Sequence, residues 1–300
     1  MRLQLSDREM TGSLLSAAEA GLVRLGSLRV NRLGYGAMRL TGDGFWGEPE
    51  KPYEAIKLLQ RAVNLGINFI DTADAYGPEV SENLIYRALY PYKHMVIATK
   101  GGLVRSGPGR WSADCSSRHL RQACESSLKR LHLDSFDLYQ LHTVDPKVPF
   151  EESFLTLIDL QSEGKIRHIG LSNIEPKHFA AALDLGNFVS VQNNYNVFNR
   201  EHEDILRLCD RHGMTFIPYF PIGGNESGGL KNRLINQLTR KYNATAYQIA
   251  LAWLLDHSPN ILPIPGTSSI DHLAENLKSV LLDLDQEDID LLNNIAQNVS

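Results

Sequence analysis

The stretch Phe69-Ile70-Asp71-Thr72-Ala73-Asp74-Ala75-Tyr76-Gly77 begins as a short apolar run and breaks into polar residues before closing on a glycine. It lies between two segments with apolar residues at three- and four-residue spacing, Pro52–Asn64 and Glu79–Ala88, so the local order is helix, strand, polar loop, helix. That unit recurs along the chain. Candidate strands are Gly34–Met38, Ile67–Asp71, Met95–Thr99, Asp137–Leu141, Arg167–Leu171, Val189–Gln192, Thr215–Tyr219 and Ile261–Ile264. Further helical patterns lie at Ser117–Leu131, Phe150–Ser162, Pro176–Asp184, Glu201–Arg211, Ala244–Asp256, Ile270–Lys278 and Gln286–Ala296.

Leu120, Ala123, Cys124, Ser127, Leu128 and Leu131 form one helical face, with Ser117 placed as its N-cap. The strands are near-continuously apolar, as strands covered on both faces are. Eight such strands alternating with helices over roughly 250 residues define an α/β fold, a closed parallel (β/α)8 TIM barrel. Ahead of it, Val23–Gly26 and Leu28–Val30 flank the turn Gly26-Ser27 and read as a β-hairpin capping the barrel bottom. A doubly wound open sheet is the other α/β solution, but no G-x-G-x-x-G follows an early strand.

With 300 residues, 43% hydrophobic and 22% charged, the chain can fill one large core. Residues 1 to 21 read as an extension and residues 22 to 300 as a single domain. The net charge of −5, with basic residues scattered, argues against nucleic-acid and membrane partners. Cys115, Cys124 and Cys209 are too few and too dispersed for a disulfide framework or a structural zinc, which points to a cytoplasmic protein. Charged residues interrupt the first twenty positions, unlike a signal peptide, and no stretch reaches about 18 apolar residues.

In such a barrel, chemistry gathers at the C-terminal ends of the strands. Asp71 ends the second strand, Tyr76 follows in its loop, Lys100 ends the third and His142 the fourth. A buried tyrosine beside a lysine ammonium is an acid for carbonyl reduction, because the cation favours the phenolate and lowers the phenol pKa from about 10. Asp71, His142 and Asp145 could be considered as metal ligands, but a neighbouring Lys and Tyr make a poor cation site, and no metal is expected.

From about Leu22 to Asp290 the chain resembles the aldo-keto reductases. The resemblance rests on Arg32 to Met38, Asp71-Thr72-Ala73 with Tyr76-Gly77, Thr99-Lys100-Gly101, Asp137 to His142, Gly164 to Asn173, and Pro265-Gly266-Thr267 ahead of Glu275-Asn276. Within the family, Ala88 to Tyr92 and Ile264 to Ser269 are similar to a bacterial pyridoxal-reductase-like branch. The resemblance implies hydride transfer from a nicotinamide to an aldehyde or ketone, pyridoxal or another aromatic or sugar-like carbonyl. Tyr76 would donate the proton, Lys100 would lower its pKa, Asp71 would fix Lys100, and His142 would bond the carbonyl oxygen.

The resemblance also implies a cofactor site, with Gly36, Met38 and Asp71 on one side. Ser172, Asn173 and Gln192 would hold the carboxamide and Tyr219 would stack on the ring. Phe220, Pro221, Ile222 and Gly224 begin a glycine-rich flap over the pyrophosphate. Pro265, Gly266, Thr267, Ser268, His272, Glu275 and Asn276 would take the adenosine phosphate at a helix start. Gly266 stands where some members carry Lys, and His272 where an Arg often meets the 2′-phosphate, so NADPH is the expected cofactor with NADH use left open. Phe45, Trp46, Trp111 and Tyr195 to Phe198 are candidate aromatic walls for substrate. Beyond Ala296 the sequence leaves little for a C-terminal flap. A cofactor-binding regulatory subunit like the potassium-channel β subunits is the alternative function. The sequence does not indicate an oligomeric state.

Overall fold

The structure is a computed structural model, described here for residues 15–223 and 232–295. The antiparallel hairpin of β1 (Leu22–Leu25) and β2 (Leu28–Asn31) forms as expected, turning at Gly26-Ser27. It buries Val23, Leu25 and Val30 against Phe69, Val96, Ala98, Leu138, Ile217 and Leu262, which closes one end of the barrel interior. The chain already joins the core before it. In the 3₁₀ turn Ala17–Ala20, both end residues are buried and the Ala17 amide bonds Leu65 O at 2.8 Å.

The parallel sheet runs β3 (Tyr35–Gly36), β4 (Phe69–Asp71), β5 (Val96–Gly101), β8 (Phe136–Leu141), β9 (Ile166–Ser172), β10 (Ser190–Gln192) and β11 (Thr215–Phe216). The intervening β6 (Leu103–Gly107) and β7 (Arg110–Ala113) form a separate hairpin after β5. The expected eighth strand, Ile261–Ile264, is not a regular one: it makes a single bridge, Phe216 to Ile261. Pro263 and Pro265 carry no amide hydrogen, so a full ladder cannot form there. The barrel nonetheless closes, because Leu262 N donates to Phe216 O and Gly34 N donates to Pro263 O, each at 2.9 Å.

The first strand also ends early. After Gly36 the backbone turns into a 3₁₀ segment, Ala37–Leu40, in place of the expected extended run to Met38. Gly36 and Gly266 meet at the closure: a Cβ on Gly36 would lie 2.7 Å from Ile264 O, and one on Gly266 would lie 2.7 Å from Gly36 O. Side chains at either position would push the first and last segments apart.

The outer helices are α1 (Pro52–Asn64), α2 (Val80–Leu89), α3 (Ser117–Leu131), α4 (Phe150–Ser162), α5 (Pro176–Leu185) and α6 (Glu203–His212). They continue with α7 (Arg233–Tyr242), α8 (Ala246–His257), α9 (Ile270–Lys278) and α10 (Gln286–Asn293). Helix α3 buries the apolar face read from its sequence. Its cap is Ser116 rather than Ser117: the Ser116 Oγ accepts the His119 amide, and Ser117 is already helical. Among the described residues, no helix is long and apolar enough to cross a membrane.

Candidate active site

The quartet converges. Asp71 ends β4, Lys100 lies near the end of β5, His142 follows β8, and Tyr76 sits in the loop before α2. Lys100 Nζ donates to Asp71 Oδ1 at 2.6 Å, to Thr72 O at 2.9 Å and to Tyr76 Oη at 3.3 Å. The other Asp71 oxygen, Oδ2, accepts from Gln140 Nε2 and Gln192 Nε2, both at 2.9 Å. This buried carboxylate is therefore paired on both oxygens, as a charge removed from water must be. Gln140 lies inside the stretch Asp137 to His142, but only the barrel register reveals its role on Asp71.

Burial fixes the protonation states. It would pull the Lys100 pKa down, but Asp71 and Tyr76 outweigh it and hold the ammonium above its ordinary value. For Tyr76 the expectation of a lowered pKa is corrected. Desolvation raises it, Lys100 opposes that rise, and burial wins, so the phenol stays protonated through the neutral range. Because Lys100 donates to the phenol oxygen, the phenolic hydrogen is left for another acceptor. Burial and then Lys100 hold His142 well below the usual histidine range, which keeps the ring neutral. It packs edge-on to Tyr76 at 5.7 Å, and its buried Nδ1 has no partner among the described residues.

Above these groups opens a cavity of about 580 Å³. Asp71, Tyr76 and His142 line it, whereas Lys100 stands behind them, fully buried. Gly36 and Met38 line one side. Ser172, Asn173, Gln192, Tyr219, Phe220, Pro221 and Ile222 line another. Gly266, Thr267, Ser268, His272, Glu275 and Asn276 complete the wall. Pro265 is not in the lining, and Gly224 lies outside the described residues. The side chain of Asn173, an expected carboxamide holder, is engaged at both its amide atoms here. Asn173 Nδ2 donates to His142 O at 2.9 Å, and Tyr219 Oη donates to Asn173 Oδ1 at 2.8 Å.

At the start of α9 the Ser269 Oγ accepts the His272 amide, and Thr267 Oγ1 accepts the Ser269 amide. Position 266 cannot supply a lysine without disturbing the barrel closure described above. A cation comes from another element instead. Arg39 lines the cavity beside Gly266, is exposed, and has no ion pair among the described residues.

The aromatic walls are only partly as expected. Trp111, on β7, lines the cavity and meets Tyr76 edge-on at 6.5 Å. Trp46 and Phe45 do not line it; Trp46 lies 5.6 Å from the Arg105 guanidinium, and the Phe45 carbonyl accepts from Arg105. Tyr195 is buried in the outer layer with its hydroxyl on Glu203, stacked over Trp253, so the Tyr195–Phe198 turn faces away. Leu103 and Tyr247 take places in the wall that the sequence did not reveal.

A model of the Aldo/keto reductase family matches residues 32–297. An uncharacterized oxidoreductase of Schizosaccharomyces pombe is 46% identical over 277 residues, 92% of this chain and 90% of its own. Pyridoxine 4-dehydrogenase of Escherichia coli is 40% identical over 280 residues, 91% of this chain and 97% of its own. The solved structure of an aldo/keto reductase from Klebsiella pneumoniae in complex with NADP and acetate superposes with a TM-score of 0.77 at 25% identity, covering 92% of this chain and 95% of that one. With the barrel, the converging quartet and matches across nearly its whole length, the chain belongs to the aldo/keto reductase family of oxidoreductases.

Proposed function

We propose that this enzyme reduces aldehydes or ketones with NADPH, and that Tyr76 is the proton donor. One observation carries the reading: a protonated, buried Tyr76 accepts from the Lys100 ammonium at the floor of the cavity, beside a neutral His142. The bound cofactor would supply a hydride to the carbonyl carbon. Tyr76 would release its proton to the developing alkoxide, and the phenolate left behind would be stabilised by Lys100. Asp71, held by Gln140 and Gln192, fixes the ammonium where that charge forms. His142 would donate its one ring hydrogen to the carbonyl oxygen and orient it.

The residues present fit a nicotinamide dinucleotide. Ser172, Asn173 and Gln192 line the cavity together and would meet a carboxamide once Asn173 exchanges its bonds to His142 O and Tyr219 for it, and Tyr219 offers a half-buried ring beside them. At the other end Thr267, Ser268, His272 and Arg39 suit a phosphate, and among the described residues the amides of Ser268, Ile270 and Asp271 have no acceptor. This set favours NADPH over NADH. An aromatic aldehyde related to pyridoxal fits a wall made of Trp111 and Leu103 beside Tyr76, in keeping with the dehydrogenase relative acting on pyridoxine. The three free, buried cysteines agree with a reducing compartment such as the cytoplasm.

The test follows the absorbance of NADPH or NADH while purified protein meets a panel of aliphatic, aromatic and sugar-like carbonyls, with pyridoxal included. Turnover should be faster with NADPH and fastest with flat aromatic aldehydes. No oxidation of either cofactor by any carbonyl would overturn the reading.

A further inference from the structure

Arg105 is a buried-edge cation without a carboxylate partner among the described residues. Its guanidinium is held by main-chain oxygens instead. Nη1 donates to Phe45 O at 2.8 Å and to Ala75 O at 3.1 Å; Nη2 donates to Gly44 O at 2.9 Å and to Gly107 O at 3.3 Å. Three of these carbonyls belong to two other loops, the one after the first barrel strand and the one that carries Tyr76; the fourth, Gly107, ends Arg105's own strand β6. The same group lies 3.7 Å from the centre of the Trp111 ring. Gly77 N also donates to Phe45 O at 3.2 Å, so the first two loops meet where Arg105 binds.

The hairpin needs such a tie. Its strands bear a register shift between Arg105 and Gly107, Trp111 is 37% exposed, and little apolar surface anchors it. We infer that Arg105 is a positioning residue for substrate selection: its planar fork locks the hairpin to the two neighbouring loops and sets the face of Trp111 against the cavity. The inference rests on the carbonyl-reductase reading above. It assigns aromatic-substrate preference to a residue that does not line the cavity. Tyr76 itself is held separately by Lys100, so loss of the clamp should act on the wall more than on the acid.

The experiment compares Arg105→Met, Arg105→Lys, Trp111→Leu and the double variant Arg105→Met/Trp111→Leu. The readouts are kcat and KM for an aromatic aldehyde and a short aliphatic one, and the Kd for NADPH. Arg105→Met should lower the aromatic-to-aliphatic ratio of kcat/KM about tenfold, mainly through a higher aromatic KM, with NADPH affinity held. Lysine cannot bridge both loops with one nitrogen as the fork does and should restore only part of the ratio. In the Trp111→Leu background the Arg105 substitution should change the ratio little further, since both remove one contact. In a Trp46→Phe background, with Trp253 buried, acrylamide quenching reports Trp111 and should rise when Arg105 is replaced. An unchanged ratio in both single variants, or additive effects in the double variant, would overturn the inference. If the parent reduces no carbonyl, the parent reading fails instead, while unchanged quenching alone would overturn the clamp.

Discussion

Replacing Lys100 by Met removes the cation on which the proposed proton transfer depends. At the 3.3 Å separation from Tyr76 Oη, an ammonium and a full phenolate attract by about 5 kcal/mol at an effective dielectric near 20. With about half of that charge formed at the transition state, the loss is roughly 2.5 kcal/mol, or about 10² in kcat. The sign of the pH effect follows from Tyr76. Reduction needs its proton, so activity falls as pH rises through the Tyr76 pKa, and that limb should move further up once the opposing cation is gone. A second effect acts on folding. Asp71 loses its 2.6 Å partner and keeps only the two glutamine amides, and an uncompensated buried charge costs about 3–5 kcal/mol. The double variant Lys100→Met/Asp71→Asn separates the two effects, because it removes the orphaned charge and should recover most of the stability without recovering turnover. Urea midpoints and pH–rate profiles of the three proteins provide the assay. A stable, fully active Lys100→Met with an unmoved alkaline limb would refute the coupling.

Three other outcomes are expected. His142 stays neutral in the fold while the unfolded chain takes up a proton below about pH 6.5, so stability should fall as pH drops below that value. His142→Asn should flatten that slope in urea midpoints compared at pH 7 and pH 5. Burial, then Glu82, pushes the Asp74 carboxyl up to about 8. The fold therefore keeps a proton that the unfolded chain has lost, and this contribution fades as pH rises toward 8. Asp74→Asn should raise the melting temperature more at pH 8 than at pH 5, and equal shifts would contradict this. Finally, His272→Arg places a permanent charge at the start of α9 and should tighten NADPH by about 1–2 kcal/mol while leaving NADH unchanged, read by titration of protein fluorescence.

Much of the barrel was legible because its signals are local. The boundaries of Pro52–Asn64, Ser117–Leu131, Phe150–Ser162 and Ile270–Lys278 follow from apolar spacing, and the structure keeps each of them. The quartet was legible because strand ends carry its polar residues. The β6–β7 hairpin was not, since Leu103 to Ala113 shows no apolar alternation and packs through one arginine rather than a buried face. Helix α7 does carry Leu234, Ile235 and Leu238 at helical spacing, a signal that could have found it. The pairing of Gln140 and Gln192 on Asp71 joins three strands and depends on register, which spacing along the chain does not encode. The direction of the Tyr76 pKa is not legible in the sequence, where the neighbouring lysine is visible but the depth of burial that outweighs it is not.

The most direct test is the single-turnover rate of Tyr76→Phe with saturating NADPH, measured beside its NADPH affinity. Phenylalanine keeps the ring that packs against His142 and Trp111 but has no proton to give. The hydride-transfer rate should fall by about 10²–10⁴ while the Kd for NADPH stays within about twofold. A variant that reduces the carbonyl at the parent rate, with the cofactor bound as tightly, would contradict the assignment of Tyr76 as the proton donor.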